Sequence, residues 1–392
     1  MLPAKPSALM PAKPSLDLLR SLTDEHVLRE LMQARRLTRA HLAARTGLSK
    51  PTVGDSVRRL AEAGLVTDTG ERTPGGRGRG RVGSYYALAE DIGTALVISI
   101  APDGVVAEHV DAYGDTVATA RQRISRPAQP AQVVAALRAA ATHMQQDARA
   151  APRLAVVSAA DPVERSTGRL IQLADAPFLL GELNPVEVLA PHVSGPVIVD
   201  NDVNWAARAE REHGRAGHLD DFAYLYLGEG LGCAVVSDGE VRRGHAGLAG
   251  EIAHLVTVGP QGRATRLIDV FGDLGLRRAG STAIDVDHLL SLATGPGPRA
   301  GPTRQVMAEA VSGVLAALVA LVDPGLVVIG GSWGRHPVII DAVSAAFGRL
   351  PRHVPVRAAE LTDQPSLAGA RSDALSRLRS AIVGAPHMVR NA

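Results

Sequence analysis

Apolar positions recur every three or four residues through the first part of the chain, then alternate or run together as strands do. Residues 17–34 carry Leu18, Leu19, Leu22, Val27, Leu28 and Leu31, which predicts a helix. Residues 37–66 predict two short helices joined by a tight turn. Thr38 caps the first, whose apolar face is Leu42 and Ala43. Gly47 suits the left-handed turn position, and Leu48 fills the angle between the helices. Ser49 caps the second helix, Pro51 sits in its first turn, and Val53, Val57 and Leu60 form its buried face. The opposite face then presents Lys50, Thr52, Ser56 and Arg59. Gly64 ends the helix and a strand begins at Leu65 and Val66. A glycine-rich tip bearing Arg77, Arg79 and Arg81 follows, and residues 85–88 read as the return strand.

Two readings fit this head: an αα-hairpin with a solvated basic linker, or a winged helix-turn-helix. The pairing of a capped recognition-sized helix with an arginine-bearing tip favours the second. Such a helix fits a major groove, and such a tip suits a minor groove or the phosphate backbone. Ser49, Lys50, Thr52, Ser56, Arg59, Arg77, Arg79 and Arg81 are therefore the candidate DNA-contacting residues.

From about Gly93 strands alternate with helices. Residues 95–100, 105–110 and 117–124 read as strands with turns between them, and 131–146 as an alanine-rich helix. Strands at 154–157 and 197–199, a helix at 203–212, and a hairpin of 222–227 with 233–237 come next. A long apolar helix at 307–322, a buried strand at 326–329 and a closing helix at 366–383 complete an α/β pattern. The expected organisation is a disordered tail over residues 1–14, a winged helix-turn-helix over 15–88, and a larger domain over 89–392.

Charge separates the same two parts. Residues 1–85 hold 15 Lys and Arg against 8 Asp and Glu, while the remainder hold 27 against 32. A basic head on an acidic body fits nucleic-acid binding by the head alone. One cysteine, Cys233, leaves no intrachain disulfide or multi-cysteine zinc site, which suits a reducing cytoplasm. No apolar run reaches the length of a membrane span, and the proline-rich start lacks a signal-peptide core, so a cytoplasmic protein without membrane contact is expected.

Four stretches of the large domain carry chemistry. V-I-V-D-N-D-V-N-W delivers Asn201 and Asp202 at the end of a strand, where open α/β sheets bind ligands. Such a pair holds neighbouring hydroxyls, and Asp202 serves either as a general base or as a plain helix cap. L-G-E-G-L-G-C at 227–233 is a phosphate-approaching turn or a hairpin tip. R-R-G-H-A-G-L-A-G-E-I-A-H at 242–254 places Glu251 and His254 three residues apart, on one side of a turn. D-P-G-L-V-V-I-G-G at 323–331 ends a strand in a diglycine that lets a ligand or backbone come close.

In this order the stretches resemble the ROK family of repressors, open reading frames and sugar kinases. The resemblance covers essentially the whole chain, and S-A-A-D-P-V-E-R-S-T-G-R-L at 158–170 is similar to the family's proline–glycine sugar loop. It implies an actin-like (ribonuclease H-like) two-lobed sugar-kinase fold with a sugar between the lobes. It also implies Asn201, Asp202, Glu251 and His254 as ligand-contacting residues, Asp202 matching the kinase members' catalytic base.

Several departures bear on function. D-I-G-T at 91–94 precedes the apolar strand, so the family's phosphate loop falls instead on Ser99, Ile100 and Ala101, without acid or glycine pair. Glu229 stands where kinases favour threonine, and its charge is expected to repel a polyphosphate. No cysteine follows Leu255 to complete a zinc site beside His254. The sugar loop has lost its proline and glycine. The resemblance so modified implies no catalytic residues, metal or cofactor. It implies a repressor that binds operator DNA as a homodimer or dimer of dimers and responds to a sugar or sugar derivative. The alternatives are an ATP-dependent sugar kinase with an added DNA-binding head and a ligand-independent regulator.

Overall fold

The computed structural model describes residues 16–73, 83–146, 151–173, 177–179 and 181–389. These form two compact units: one runs to Gly93 with Asp111–Asp115 and the residues from Ser376 on, the other holds Thr94–Val110 and Thr116–Leu375.

The first unit opens with α1 (Leu16–Ala34), β1 (Arg36–Thr38), α2 (Arg39–Thr46) and α3 (Lys50–Glu62). β2 (Val66–Arg72) and β3 (Ser84–Leu88) then complete a three-stranded sheet in the order β1-β3-β2. The local chemistry is as the residue types require. Thr38 accepts from the His41 N–H and Ser49 from that of Thr52, while Gly47 turns the chain at φ 72°. Val53 and Val57 are fully buried and Leu60 nearly so, as are Val27, Leu28 and Leu31 of α1, which packs on α3. The grouping departs from a cut at residue 88 for a reason visible in its bonds. Arg35 forms a two-point ion pair with Asp115 at 2.5 and 2.7 Å, and the Tyr113 hydroxyl accepts from Leu88 N–H at 3.1 Å. Arg379 donates to the carbonyls of Ala112 and Tyr113.

The second unit contains two five-stranded sheets, each with its own core. β4 (Ala95–Ala101), β5 (Gly104–Val110) and β6 (Thr116–Gln122) form an antiparallel meander. After α4 (Pro130–Gln146), β7 (Leu154–Ala159) joins β4 in parallel; after α5 (Pro185–Leu189), β8 (Val197–Asn201) joins β7. α6 (Asp202–His213) leads to the hairpin of β9 (Phe222–Leu227) and β10 (Leu231–Ser237), extended by β11 (Glu240–Val241). A small hairpin, β12 (Val256–Val258) with β13 (Ala264–Arg266), precedes α7 (Leu267–Asp273), α8 (Val286–Thr294) and α9 (Ala300–Val322). β14 (Val327–Gly330) pairs in parallel with β9, and β15 (Val356–Ala358), after α10 (Pro337–Phe347), pairs with β14. α11 (Pro365–Val389) closes the chain.

Helix α9 corrects the expectation that no segment is long and apolar enough to span a bilayer: its 23 residues meet both criteria. Met307, Val311, Val314, Leu315, Leu318 and Val319 are nevertheless core residues packed with β9 and β14, which is what a central helix of a folded sheet requires.

Candidate functional site

In the first unit, α3 carries the candidate nucleic-acid face. Ser49, Lys50 and Thr52 are exposed, with the Ser49 and Thr52 hydroxyls 2.7 Å apart. Ser56 does not belong to this face. It is fully buried and donates to Asp24 Oδ1 at 2.6 Å. Arg59 also turns inward, pairing with the same carboxylate at 2.5 and 3.2 Å. Val53, Ser56, Val57 and Leu60 are one stripe at i, i+3, i+4 and i+7, so position 56 follows the core periodicity despite its hydroxyl. Arg58, which sequence reasoning passed over, is the exposed arginine of the helix, held by Asp55 at 2.9 Å. Arg77, Arg79 and Arg81 lie outside the described residues.

In the second unit, a cavity is lined by Asp161, Asp202, Glu251 and His254 together with apolar residues such as Phe178 and Leu231. Asp202, Glu251 and His254 are expected from the sequence; Asp161 is not, although it falls in the stretch similar to the sugar loop. Asn201 is the correction. It is the residue that caps α6, accepting from Val203 N–H at 3.0 Å, and its amide donates to the carbonyls of Ala159 and Asp161. Its polar atoms are thus engaged in holding the strand-to-helix turn, outside the cavity lining. That leaves the Asp202 side chain at the first helical position, directed to the cavity.

The next shell fixes this turn. Asp200, 3% exposed, accepts from Asn204 at 2.8 Å and Arg208 at 2.9 Å and pairs with Arg243 at 3.2 Å. Trp205 donates to the Val157 carbonyl at 3.1 Å. Asn204, Trp205 and Arg208 lie in or just past the motif, but Val157 and Arg243 come from distant segments that only the fold brings to it.

Burial dominates the electrostatics. It pushes the Asp161 carboxyl up to about 6, against a bond from Leu179 N–H that favours the charge. It pushes Asp202 up to about 7, with Asp161 and Glu251 adding repulsion, and Glu251 up to about 7 with help from Asp161. Asp202 and Glu251 are therefore partly protonated at neutral pH and can donate to as well as accept from hydroxyls, while Asp161 is mostly ionised.

The phosphate-loop positions differ from the expectation in two respects. Ser99, Ile100 and Ala101 lie inside β4, and the turn to β5 is Pro102–Asp103, which does contain an acid. A two-residue turn, however, offers no run of backbone N–H groups to wrap a phosphate. Glu229 is not a bare repelling charge. It accepts from Arg126 at 3.0 and 3.3 Å and from Arg278 at 2.7 Å, so both guanidiniums are engaged by it. The diglycine serves backbone packing: a Cβ at Gly331 would lie 2.2 Å from the Leu227 carbonyl oxygen. The stretch after Leu255 is the β12–β13 hairpin, and among the described residues no group of three His, Cys, Asp or Glu is arranged to hold a metal. A zinc site does not fit these residues.

The sequence profile of the ROK family matches residues 105–376, and that of a winged helix-turn-helix DNA-binding domain matches residues 20–67. The bifunctional enzyme NanE/NanK of Brucella suis is 30% identical over 159 residues, 40% of this chain and 30% of the enzyme. The xylose repressor of Caldicellulosiruptor bescii is 24% identical over 246 residues, 60% of this chain and 59% of the repressor. The chain therefore spans less than two thirds of either relative. The crystal structure of a ROK family transcriptional regulator, a homologue of the E. coli MLC protein, superposes with a TM-score of 0.61 at 18% identity, covering 93% of this chain and 99% of that one. It shares the fold.

Proposed function

Because the chain belongs to the ROK family and carries a winged helix-turn-helix head, we propose that it is a transcriptional repressor controlled by a sugar or a related hydroxylated ligand. The head binds operator DNA through Ser49, Lys50, Thr52 and the wing arginines Arg77, Arg79 and Arg81. The homodimer, or dimer of dimers, presents two heads to half-sites about one helical turn apart or a multiple of it. Ligand in the cavity changes operator affinity only through a differential preference for one state.

The observation that carries this reading is the presence, on one chain, of an exposed Lys50–Thr52 helix face and a carboxylate cavity whose phosphate side is altered. Kinase activity is lost on this account. The Pro102–Asp103 turn is too short to wrap a phosphate, and Arg126 and Arg278 are held by Glu229. The relation to NanE/NanK keeps a sugar kinase as the second reading. A coupled assay with ATP, magnesium and a panel of hexoses separates the two: no turnover is expected, and sustained turnover overturns the regulator-only reading.

A further inference from the structure

Asp161 is the lining residue that departs from the proline–glycine sugar loop. It is 4% exposed and lies just past the end of β7, the last residue of S-A-A-D. This stretch is pinned from two sides. The Asn201 amide donates to the Asp161 carbonyl at 3.3 Å, and Arg165 N–H donates to the Ala246 carbonyl at 3.0 Å. Gly247 approaches so closely that a Cβ there would lie 2.1 Å from the Val163 oxygen. Glu251 is held as firmly. Cys233 N–H donates to the Gly250 carbonyl at 2.9 Å, and a Cβ at Gly250 would lie 1.8 Å from the Cys233 oxygen. Asp202 opens α6 beside them.

Three carboxylates thus line one cavity on a frame that cannot spread without breaking backbone contacts. Among the described residues no arginine or lysine forms an ion pair with any of the three. Glu229, the fourth carboxylate of the lining, holds Arg126 and Arg278 to itself. Among the described residues, the other titratable groups facing the cavity are His254 and Tyr226. The carboxylates do not converge as metal ligands do. They surround a volume, beside the apolar walls of Phe178, Leu231 and Ile268. An ammonium group on a hydroxylated ring answers this arrangement: it brings a charge and three N–H donors to acids that are costly to ionise alone.

We propose that the cavity takes an amino sugar with a free ammonium group, and that Asp161 sets the preference for it over a neutral sugar. This rests on the reading of the cavity as a ligand site. The test is calorimetric titration of the full chain at pH 7.0 with glucosamine, N-acetylglucosamine and glucose. Glucosamine binds about tenfold or more tightly than either neutral sugar, as added charge-assisted hydrogen bonds imply. Buffers of different ionisation enthalpy register proton release with glucosamine, because the cation completes ionisation of the acids. Asp161→Asn can keep the bond from Leu179 N–H, and brings the three affinities to within about threefold of one another. Should that variant not fold, the wild-type chain carries the test alone: the preference shrinks at pH 5.0, where the acids are protonated. Binding of glucose or N-acetylglucosamine as tight as that of glucosamine overturns the inference and leaves the ligand site standing. A preference that survives Asp161→Asn, or that does not change with pH, also overturns it. Heat from none of the three sugars counts against the ligand-site reading itself, and the inference falls with it.

Discussion

Removing the Asp24 carboxylate tests how the recognition helix is held. Asp24 is 2% exposed and accepts from Ser56 at 2.6 Å and from Arg59 at 2.5 and 3.2 Å. In Asp24→Ala the Ser56 hydroxyl stays buried without this acceptor, at a cost of about 1–2 kcal/mol. The Arg59 side chain is 28% exposed and can rehydrate, so the lost ion pair is discounted to about 1 kcal/mol. Together these give about 2–3 kcal/mol. For a unit of this size that lowers the melting transition by roughly 10–15 °C. Differential scanning calorimetry of the full chain, with circular dichroism to follow the helices, reads the shift. Adding Ser56→Ala to Asp24→Ala removes the stranded hydroxyl and recovers part of the loss, as a double-mutant cycle requires for groups in contact. A shift under about 2 °C for Asp24→Ala, or strict additivity with Ser56→Ala, refutes the buried-network account.

Other expectations follow from the same geometry. Arg59→Ala lowers stability and leaves the salt dependence of operator binding unchanged, because Arg59 faces α1; loss of about one unit of salt slope in anisotropy titrations contradicts this. Lys50→Ala weakens operator binding with little effect on melting, since its side chain is exposed; replacing Arg77, Arg79 and Arg81 together lowers affinity and flattens the salt slope. Asp202→Asn stabilises the ligand-free chain. The folded carboxyl, pushed up to about 7, lies above its unfolded value, so the cost of ionising it is fully present above pH 7 and disappears toward pH 4. Discounting the shift by about half for relaxation gives an advantage of about 2 kcal/mol at pH 8 that shrinks as pH falls, read by melting wild type and variant side by side.

The head was legible because its signals are local. Capping by Thr38 and Ser49, the turn at Gly47 and the buried stripe on α3 each depend on residues a few positions apart. Ser56 and Arg59 were misplaced because residue polarity suggested exposure. Their partner, Asp24, is 32 and 35 residues away, and only packing brings it to them. In the body, the strand ending at Asn201 and Asp202 was clear, but which of the two caps the helix depends on the φ and ψ of the turn. Likewise the character of Glu229 was decided by Arg126 and Arg278, 103 and 49 residues distant. Motif spacing identified where chemistry is concentrated; the assignment of each side chain to frame or cavity required the tertiary contacts.

The central claim is that one chain couples operator occupancy to a cavity ligand. Its most direct test is an anisotropy titration of the full chain on DNA from its own promoter region, over a range of salt, with and without glucosamine and the neutral hexoses. The account predicts tight, salt-dependent binding that at least one of these sugars weakens, with the effect lost in Glu251→Ala. Binding that no sugar changes, or no specific binding at all, contradicts it.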